Sequence, residues 1–132
     1  MNKKLSPGVD KFVTIFIVFV GVIDLFFQTL GRRMGFGISN SGISFGMFAD
    51  KLSLFINTLG VFVLFFFFTS YLREKNRRIS IYIILIGGII NMSQRLIYGN
   101  VWDYISLPFM PFSNNIADIL ITSGVIAYII GF

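Results

Sequence analysis

The sequence predicts an all-α integral membrane protein with four transmembrane helices. The first observation is composition: 55% of the 132 residues are hydrophobic, 17 are Phe, and the mean hydropathy of +0.82 is too high for a water-soluble domain of this size. The second is length, because four apolar stretches each approach the roughly 20 residues that a helix needs to cross a bilayer. With their connections these stretches use nearly the whole chain, which predicts one membrane-embedded domain over residues 1–132 with spans at about 12–30, 52–71, 79–98 and 115–132.

The first stretch carries a single charge, Asp24, towards its far end. Basic residues before an apolar run are typical of a signal peptide, but this run is long and no small-residue cleavage site follows it. We therefore interpret it as a retained span. The next segment, residues 31–51, contains five glycines, a composition typical of turns and short strands.

The second span ends at a charged cluster, residues 73–78, and the third contains Gly87 and Gly88. Adjacent small residues allow a neighbouring helix to approach closely. The connection at residues 99–114 combines interfacial aromatics with two prolines, and the final 18 residues rise about 27 Å as a helix. This length is short but adequate for a fourth span.

Basic residues predict the orientation of the four spans. An even number of crossings places both termini on one side, where seven Lys and Arg would lie, against four on the other side. The positive-inside rule then predicts cytoplasmic termini. Segments 31–51 and 99–114 would face outward, together with Asp24, Asp103 and Asp118.

The chain has no Cys and no His. Thiol nucleophiles, imidazole bases and the usual zinc sites are therefore excluded, and we expect neither a metal nor a cofactor. The net charge of +5 comes from residues beside apolar spans, so it predicts membrane orientation and not nucleic-acid binding.

Asp103 and Asp118 are the main candidates for chemistry, because a carboxylate near the hydrocarbon boundary is costly unless it is paired, protonated or hydrated. Two neighbouring carboxylates do not both ionise readily, so one retains a proton while the other acts as a base. Such a pair could activate water for attack on a peptide carbonyl. Other polar residues fall at the same depth: Asn91 and Arg95 share a helix face at i, i+4 spacing, and Asn115 precedes Asp118 by three.

Four motifs in order carry a family resemblance: Asn40-Ser-Gly-Ile-Ser-Phe45, Gly87-Gly-Ile-Ile-Asn91-Met-Ser-Gln-Arg95, Val101-Trp-Asp103 and Asn115-Ile-Ala-Asp118. Together they resemble bacterial lipoprotein signal peptidase, the type II signal peptidase. The resemblance implies a monomeric aspartic endopeptidase of the bacterial inner membrane, which removes signal peptides from lipid-modified prolipoproteins before the diacylglyceryl-cysteine. Prolipoproteins and membrane lipids would be its partners.

The resemblance also implies roles for individual residues. Asp103 and Asp118 match the catalytic pair, near the outer face of the membrane. The residues that match polar positions shaping the site are Asp24, Asn40, Gly42, Asn91, Arg95 and Asn115. Residues 31–51 would form a small outward-facing β-cradle between the first two helices.

Some positions depart from the family pattern. Gln94 stands where an acidic residue is usual, Gln28 where a lysine is usual, and Asn114 where a phenylalanine is usual, and the loop at 31–51 is short. Two other functions therefore remain open: a non-catalytic relative that binds lipoprotein or lipid, and a small proton-coupled transporter. A transporter would need its carboxylate near the midplane, whereas those here lie towards one face.

Residue by residue, plainer interpretations also remain open. Asp118 could be a charge favoured at a helix N-terminus, and Arg95 could extend to outer headgroups. Asn40 and Gly42 could form an ordinary turn. Asp24 is more readily interpreted as structural, bonding the cradle or pairing with Arg95, than as catalytic.

Overall fold

A computed structural model describes residues 7–41, 53–73, 77–109 and 111–132. The predicted helical architecture is confirmed, and the described residues form four helices and four very short strands. The helices are α1 (Pro7–Met34), α2 (Ser53–Arg73), α3 (Arg78–Tyr98) and α4 (Ile116–Ile129). The strands are β1 (Ile38–Asn40), β2 (Val101–Asp103), β3 (Ile105–Ser106) and β4 (Ser113–Asn114).

Helix α3 lies at the centre and packs against the other three helices. Its buried residues include Ile81, Ile84 and Leu85. The contact with α4 is close because α3 carries Gly87 there: a Cβ atom at this position would lie 2.6 Å from the carbonyl oxygen of Ala117. This approach places the first turn of α4 directly against α3.

The outer surface of the bundle is strongly apolar. Phe12, Phe62 and Phe65 are each at least 64% exposed, in company with many other large hydrophobic side chains. Two described helical segments, Lys11–Met34 and Arg78–Tyr98, are long and apolar enough to cross a membrane, and Asn57–Arg73 and Ile116–Ile129 are shorter apolar helices. A surface of this kind suits hydrocarbon and not water, in agreement with a membrane protein.

Helix α1 continues four residues beyond the predicted end of its span at Leu30. The glycine that ends it is Gly35, whose φ of +76° is left-handed and whose N–H bonds the carbonyl of Gly31 over 2.8 Å. Gly31 stays helical, and a Cβ atom there would lie 2.7 Å from Nε1 of Trp102. Its role is to admit the indole ring, so the first glycine after the span is not the stop signal.

The strands join the two connections that were predicted to face outward. β1 pairs antiparallel with β2, with Ile38 opposite Asp103 and Asn40 opposite Val101. β3 and β4 pair with each other within the second connection. Of the predicted cradle, residues 42–51 lie outside the described residues, and the predicted site residue Gly42 is among them.

Candidate active site

Asp103 ends β2 and is almost completely buried, with 1% of its surface exposed. Asn40 donates from Nδ2 to Oδ2 of Asp103 over 2.9 Å, and Asn115 donates from Nδ2 to Oδ1 over 2.8 Å. Burial raises the pKa of the Asp103 carboxyl, while the two amide hydrogen bonds and the charge of Arg95 oppose this rise. The β1–β2 pairing explains the arrangement. It places Asn40 opposite Val101, two residues before Asp103, so the amide of Asn40 can reach a carboxylate 63 positions away along the chain.

Asp118 lies in the first turn of α4, where its position is fixed by a capping box. The N–H of Asp118 donates to Oδ1 of Asn115 over 2.9 Å, and the backbone N–H of Asn115 donates to Oδ2 of Asp118 over 3.4 Å. The other carboxylate oxygen accepts from Nδ2 of Asn91 on α3 over 2.8 Å. The carboxylate is therefore oriented by both its own helix and the central one.

A cavity of about 240 Å³ between α2, α3 and α4 brings most of the predicted site residues together. Its polar end is lined by Asn40, Asn91, Arg95, Asp103 and Asp118, and its remaining wall is apolar, with Val63, Leu64, Ile84, Met92 and Ile121 among its side chains. The guanidinium of Arg95 interacts electrostatically with both carboxylates and donates to the carbonyl of Ser41 over 3.3 Å. The cavity thus combines two acidic groups, a cation and amide groups with an apolar wall.

Asp24 is fully buried on α1 and is not among the residues that line this cavity. Its Oδ1 accepts from the hydroxyl of Tyr104 over 2.6 Å and from the backbone N–H of Ile116 over 2.9 Å, while Oδ2 accepts from Nε2 of Gln28 over 2.8 Å. These bonds connect α1 to the segments that carry Asp103 and Asp118. Reasoning from the sequence did not select Tyr104, although its position directly after Asp103 was a signal.

A second cluster that the sequence did not predict surrounds Arg32 in the last turn of α1. Its guanidinium donates to Oδ1 of Asn100 over 2.6 Å and to Oε1 of Gln94 over 3.3 Å. The same group lies 4.2 Å above the ring of Tyr98 and 5.2 Å from that of Trp102. The resemblance led us to expect an acidic residue at Gln94. The glutamine that stands there accepts a hydrogen bond from the guanidinium of Arg32.

The described ranges contain no group of three or more His, Cys, Asp or Glu side chains placed to hold a metal ion. The chemistry that the cavity residues themselves can perform is acid–base chemistry by paired carboxylates.

Comparison with known proteins shows which family this chain belongs to. The sequence model of the family described as Signal peptidase (SPase) II matches residues 33–132. This range includes every residue that lines the cavity. The chain belongs to the signal peptidase II family. Asp24 and Gln28 precede the matched range.

Individual relatives carry the name lipoprotein signal peptidase. The chain is 34% identical over 97 residues to the protein from Anaplasma marginale, 32% identical over 100 residues to that from Clostridium tetani, and 29% identical over 136 residues to that from Borrelia garinii. These matches cover 68%, 70% and 92% of the chain but 57%, 64% and 76% of the respective relatives. The chain therefore spans less than two thirds of the length of the first two.

Solved structures extend the similarity to the fold. A bacterial membrane enzyme solved by the in meso method at 2.3 Å resolution is 25% identical in sequence, with a TM-score of 0.70 over 98% of this chain and 90% of that one. A second bacterial membrane enzyme, solved at 1.9 Å, has a TM-score of 0.63 over 98% of this chain and is 22% identical. The helical bundle is thus similar in fold to those of two bacterial membrane enzymes.

Proposed function

We propose that this member of the signal peptidase II family is an aspartic endopeptidase with Asp103 and Asp118 as its dyad. Its substrates would be prolipoproteins carrying a diacylglyceryl group, cut directly before the modified cysteine. The observation that carries the proposal is that both carboxylates line one cavity and are joined by Asn115, which bonds Asp103 through its side chain and Asp118 through both its side chain and its backbone.

The chemistry proposed for the pair needs one proton shared between two carboxyl groups. The ionised carboxylate accepts a proton from a water molecule, whose oxygen attacks the scissile carbonyl carbon. The protonated carboxyl donates a hydrogen bond to the carbonyl oxygen, which becomes negatively charged as the tetrahedral intermediate forms. The carboxyl that received the proton from water then transfers it to the amide nitrogen, the C–N bond breaks, and the two peptide fragments are released.

The cavity wall supports an apolar, membrane-embedded substrate. Leu64 and Val63 from α2 and Ile121 from α4 face the space beside the carboxylates. Burying an apolar segment there contributes to binding, while the carboxylates and Arg95 contact the polar peptide bond. The names of the relatives agree with this substrate class.

The proposed topology has all four helices crossing the bacterial cytoplasmic membrane with both termini in the cytoplasm. The dyad then lies near the outer face, beside the antiparallel pair of β1 and β2. Helix α4 has 14 residues, or about 21 Å of rise, so its crossing needs flanking residues or local thinning of the bilayer. Labelling of single cysteines placed in segments 31–51 and 73–78 from each side of the membrane tests this arrangement.

The proposed activity is tested by incubating the protein with a purified diacylglyceryl-modified prolipoprotein. Cleavage is measured as a gel shift of the product. We expect Asp103→Asn and Asp118→Asn to lower the rate at least about 100-fold while leaving the folded protein in detergent intact. Asp10→Asn, at the opposite end of α1, is the matched control and should keep the wild-type rate. Wild-type rates in either dyad variant would refute the dyad.

Two further measurements, substrate binding and efflux from vesicles, separate the other functions that the sequence left open. A non-catalytic relative would bind the lipidated substrate without turnover by the wild-type chain. A transporter would show proton-coupled efflux from vesicles and no cleavage.

A further inference from the structure

We infer that Gln28 and Tyr104 are positioning residues of the dyad, acting together through the buried carboxylate of Asp24. This set is called the Asp24 network, and it also includes the backbone N–H groups of Trp102 and Ile116 that bond to it. The inference rests on the proposed function, because positioning is defined here by its effect on cleavage.

Gln28 connects α1 to β2 on the near side of Asp103. Its Nε2 donates to Oδ2 of Asp24 over 2.8 Å, and its Oε1 accepts from the backbone N–H of Trp102 over 3.3 Å. Gln28 is fully buried, and its amide uses both ends in these bonds. Trp102, the residue just before Asp103, is therefore bonded to α1 through Gln28. An apolar side chain of the same size could make neither hydrogen bond of Gln28.

Tyr104 connects α1 to the chain on the far side of Asp103. Its hydroxyl donates to Oδ1 of Asp24 over 2.6 Å, and its ring stacks on Phe27 with centroids 5.6 Å apart. Burial and the hydrogen bond to Asp24 raise the pKa of this hydroxyl, so it keeps its proton and remains a donor. The two chain neighbours of Asp103 are thereby attached to α1: Trp102 bonds Gln28, and Tyr104 bonds Asp24.

The same oxygen of Asp24 also fixes the start of the helix that carries Asp118. Oδ1 accepts from the backbone N–H of Ile116 over 2.9 Å, and Ile116 directly follows Asn115, which bonds both dyad carboxylates. Asp24 is thus one point to which the segments of both catalytic residues are bonded. Misplacing a reacting group by about 1 Å can lower a rate about 100-fold, so losing part of this network should affect turnover more than substrate binding.

The donors contributed by Gln28 and Tyr104 are neutral. The resemblance to the family led us to expect a lysine where Gln28 stands, and the glutamine keeps the hydrogen bond to Asp24 while adding an acceptor for the N–H of Trp102. A lysine could donate to Asp24 but could not accept from Trp102. Gln28→Lys therefore separates the two bonds of Gln28, and Tyr104→Phe removes only the hydroxyl.

Steady-state cleavage by the full chain tests the inference. We expect Gln28→Met, a substitution of similar size, to lower kcat about tenfold or more with KM changed less than about twofold. Gln28→Lys should recover part of that loss, and Tyr104→Phe should also lower kcat. Because Gln28 and Tyr104 act through Asp24, the double variant should lose less than the product of the two single effects. Gln94→Met, which replaces another buried glutamine outside the Asp24 network, is the control and should keep kcat within about twofold.

Amide hydrogen exchange tests the Asp24 network without turnover. We expect the backbone N–H of Trp102 to exchange faster in Gln28→Met than in wild type, with exchange in the rest of the bundle unchanged. Unchanged exchange there, or wild-type kcat in both Gln28→Met and Tyr104→Phe, overturns the inference. A wild-type chain that binds substrate without cutting it, or an active Asp103→Asn variant, would instead refute the proposed function.

Discussion

Asn115 donates a hydrogen bond of 2.8 Å from its side-chain amide to Oδ1 of Asp103, while the oxygen of the same amide accepts from the N–H of Asp118. One fully buried side chain therefore caps α4 and bonds the carboxylate at the end of β2. The geometry of the candidate dyad depends on this residue in two separable ways.

Substitutions of Asn115 should separate these two roles. Asn115→Ala removes the cap and the donor to Asp103, so we expect a loss of about 1–2 kcal/mol in the free energy of unfolding together with a loss of cleavage. Asn115→Ser retains a capping oxygen but lacks the amide that reaches Asp103. It should therefore unfold closer to wild type and still cleave poorly.

Thermal unfolding in detergent and the prolipoprotein gel shift measure the two effects. If Asn115→Ser cleaves at the wild-type rate, the bond to Asp103 contributes nothing to catalysis. If Asn115→Ala unfolds like wild type, the capping role is wrong.

The helices could be predicted from the sequence more readily than the contacts between distant segments. The i, i+4 spacing of Asn91 and Arg95 places both on one helix face, and the structure puts both at the cavity. Periodicity within a helix cannot say which distant segment meets that face. The hydrogen bond from Asn40 to Asp103 depends on the pairing of strands of three residues, and the bond from Tyr104 to Asp24 joins residues 80 positions apart. Strands this short carry too little alternation to reveal their register.

The pH dependence of stability should report the buried carboxyl of Asp103. Burial raises its pKa in the folded protein above the ordinary carboxyl value near 4, so the folded state retains this proton when the unfolded chain has lost it. Binding of this proton stabilises the folded state relative to the unfolded chain. The effect is complete below about pH 4 and is lost as pH rises through the raised pKa of Asp103.

Unfolding temperatures measured from about pH 4 upward test this sign. Asp103→Asn cannot titrate at this position, so the unfolding temperature of wild type should fall more steeply with rising pH than that of the variant. Parallel curves for the two proteins would contradict the prediction.

The contact between α3 and α4 predicts a difference between two adjacent glycines. A Cβ atom at Gly87 would lie 2.6 Å from the carbonyl oxygen of Ala117, which precedes Asp118 and belongs to a helix backbone that cannot yield locally. Gly87→Ala should cost about 1–3 kcal/mol and lower cleavage. Gly88→Ala is the control, because the new methyl would meet the flexible end of Leu64. Equal unfolding temperatures for the two variants would show that the close approach is not needed.

Arg32 and Arg33, adjacent in the last turn of α1, allow a second matched comparison. Arg32 bonds Asn100 over 2.6 Å and lies against the rings of Tyr98 and Trp102, whereas Arg33 is exposed. Because the guanidinium of Arg32 is only partly buried, solvent weakens its interactions, and we expect Arg32→Ala to cost about 1–2 kcal/mol. Arg32→Lys keeps the charge but loses the planar donor fork, so it should recover less than half of that loss. Arg33→Ala should stay within about 0.5 kcal/mol of wild type, and equal unfolding temperatures for Arg32→Ala and Arg33→Ala would refute a structural role for the Arg32 cluster.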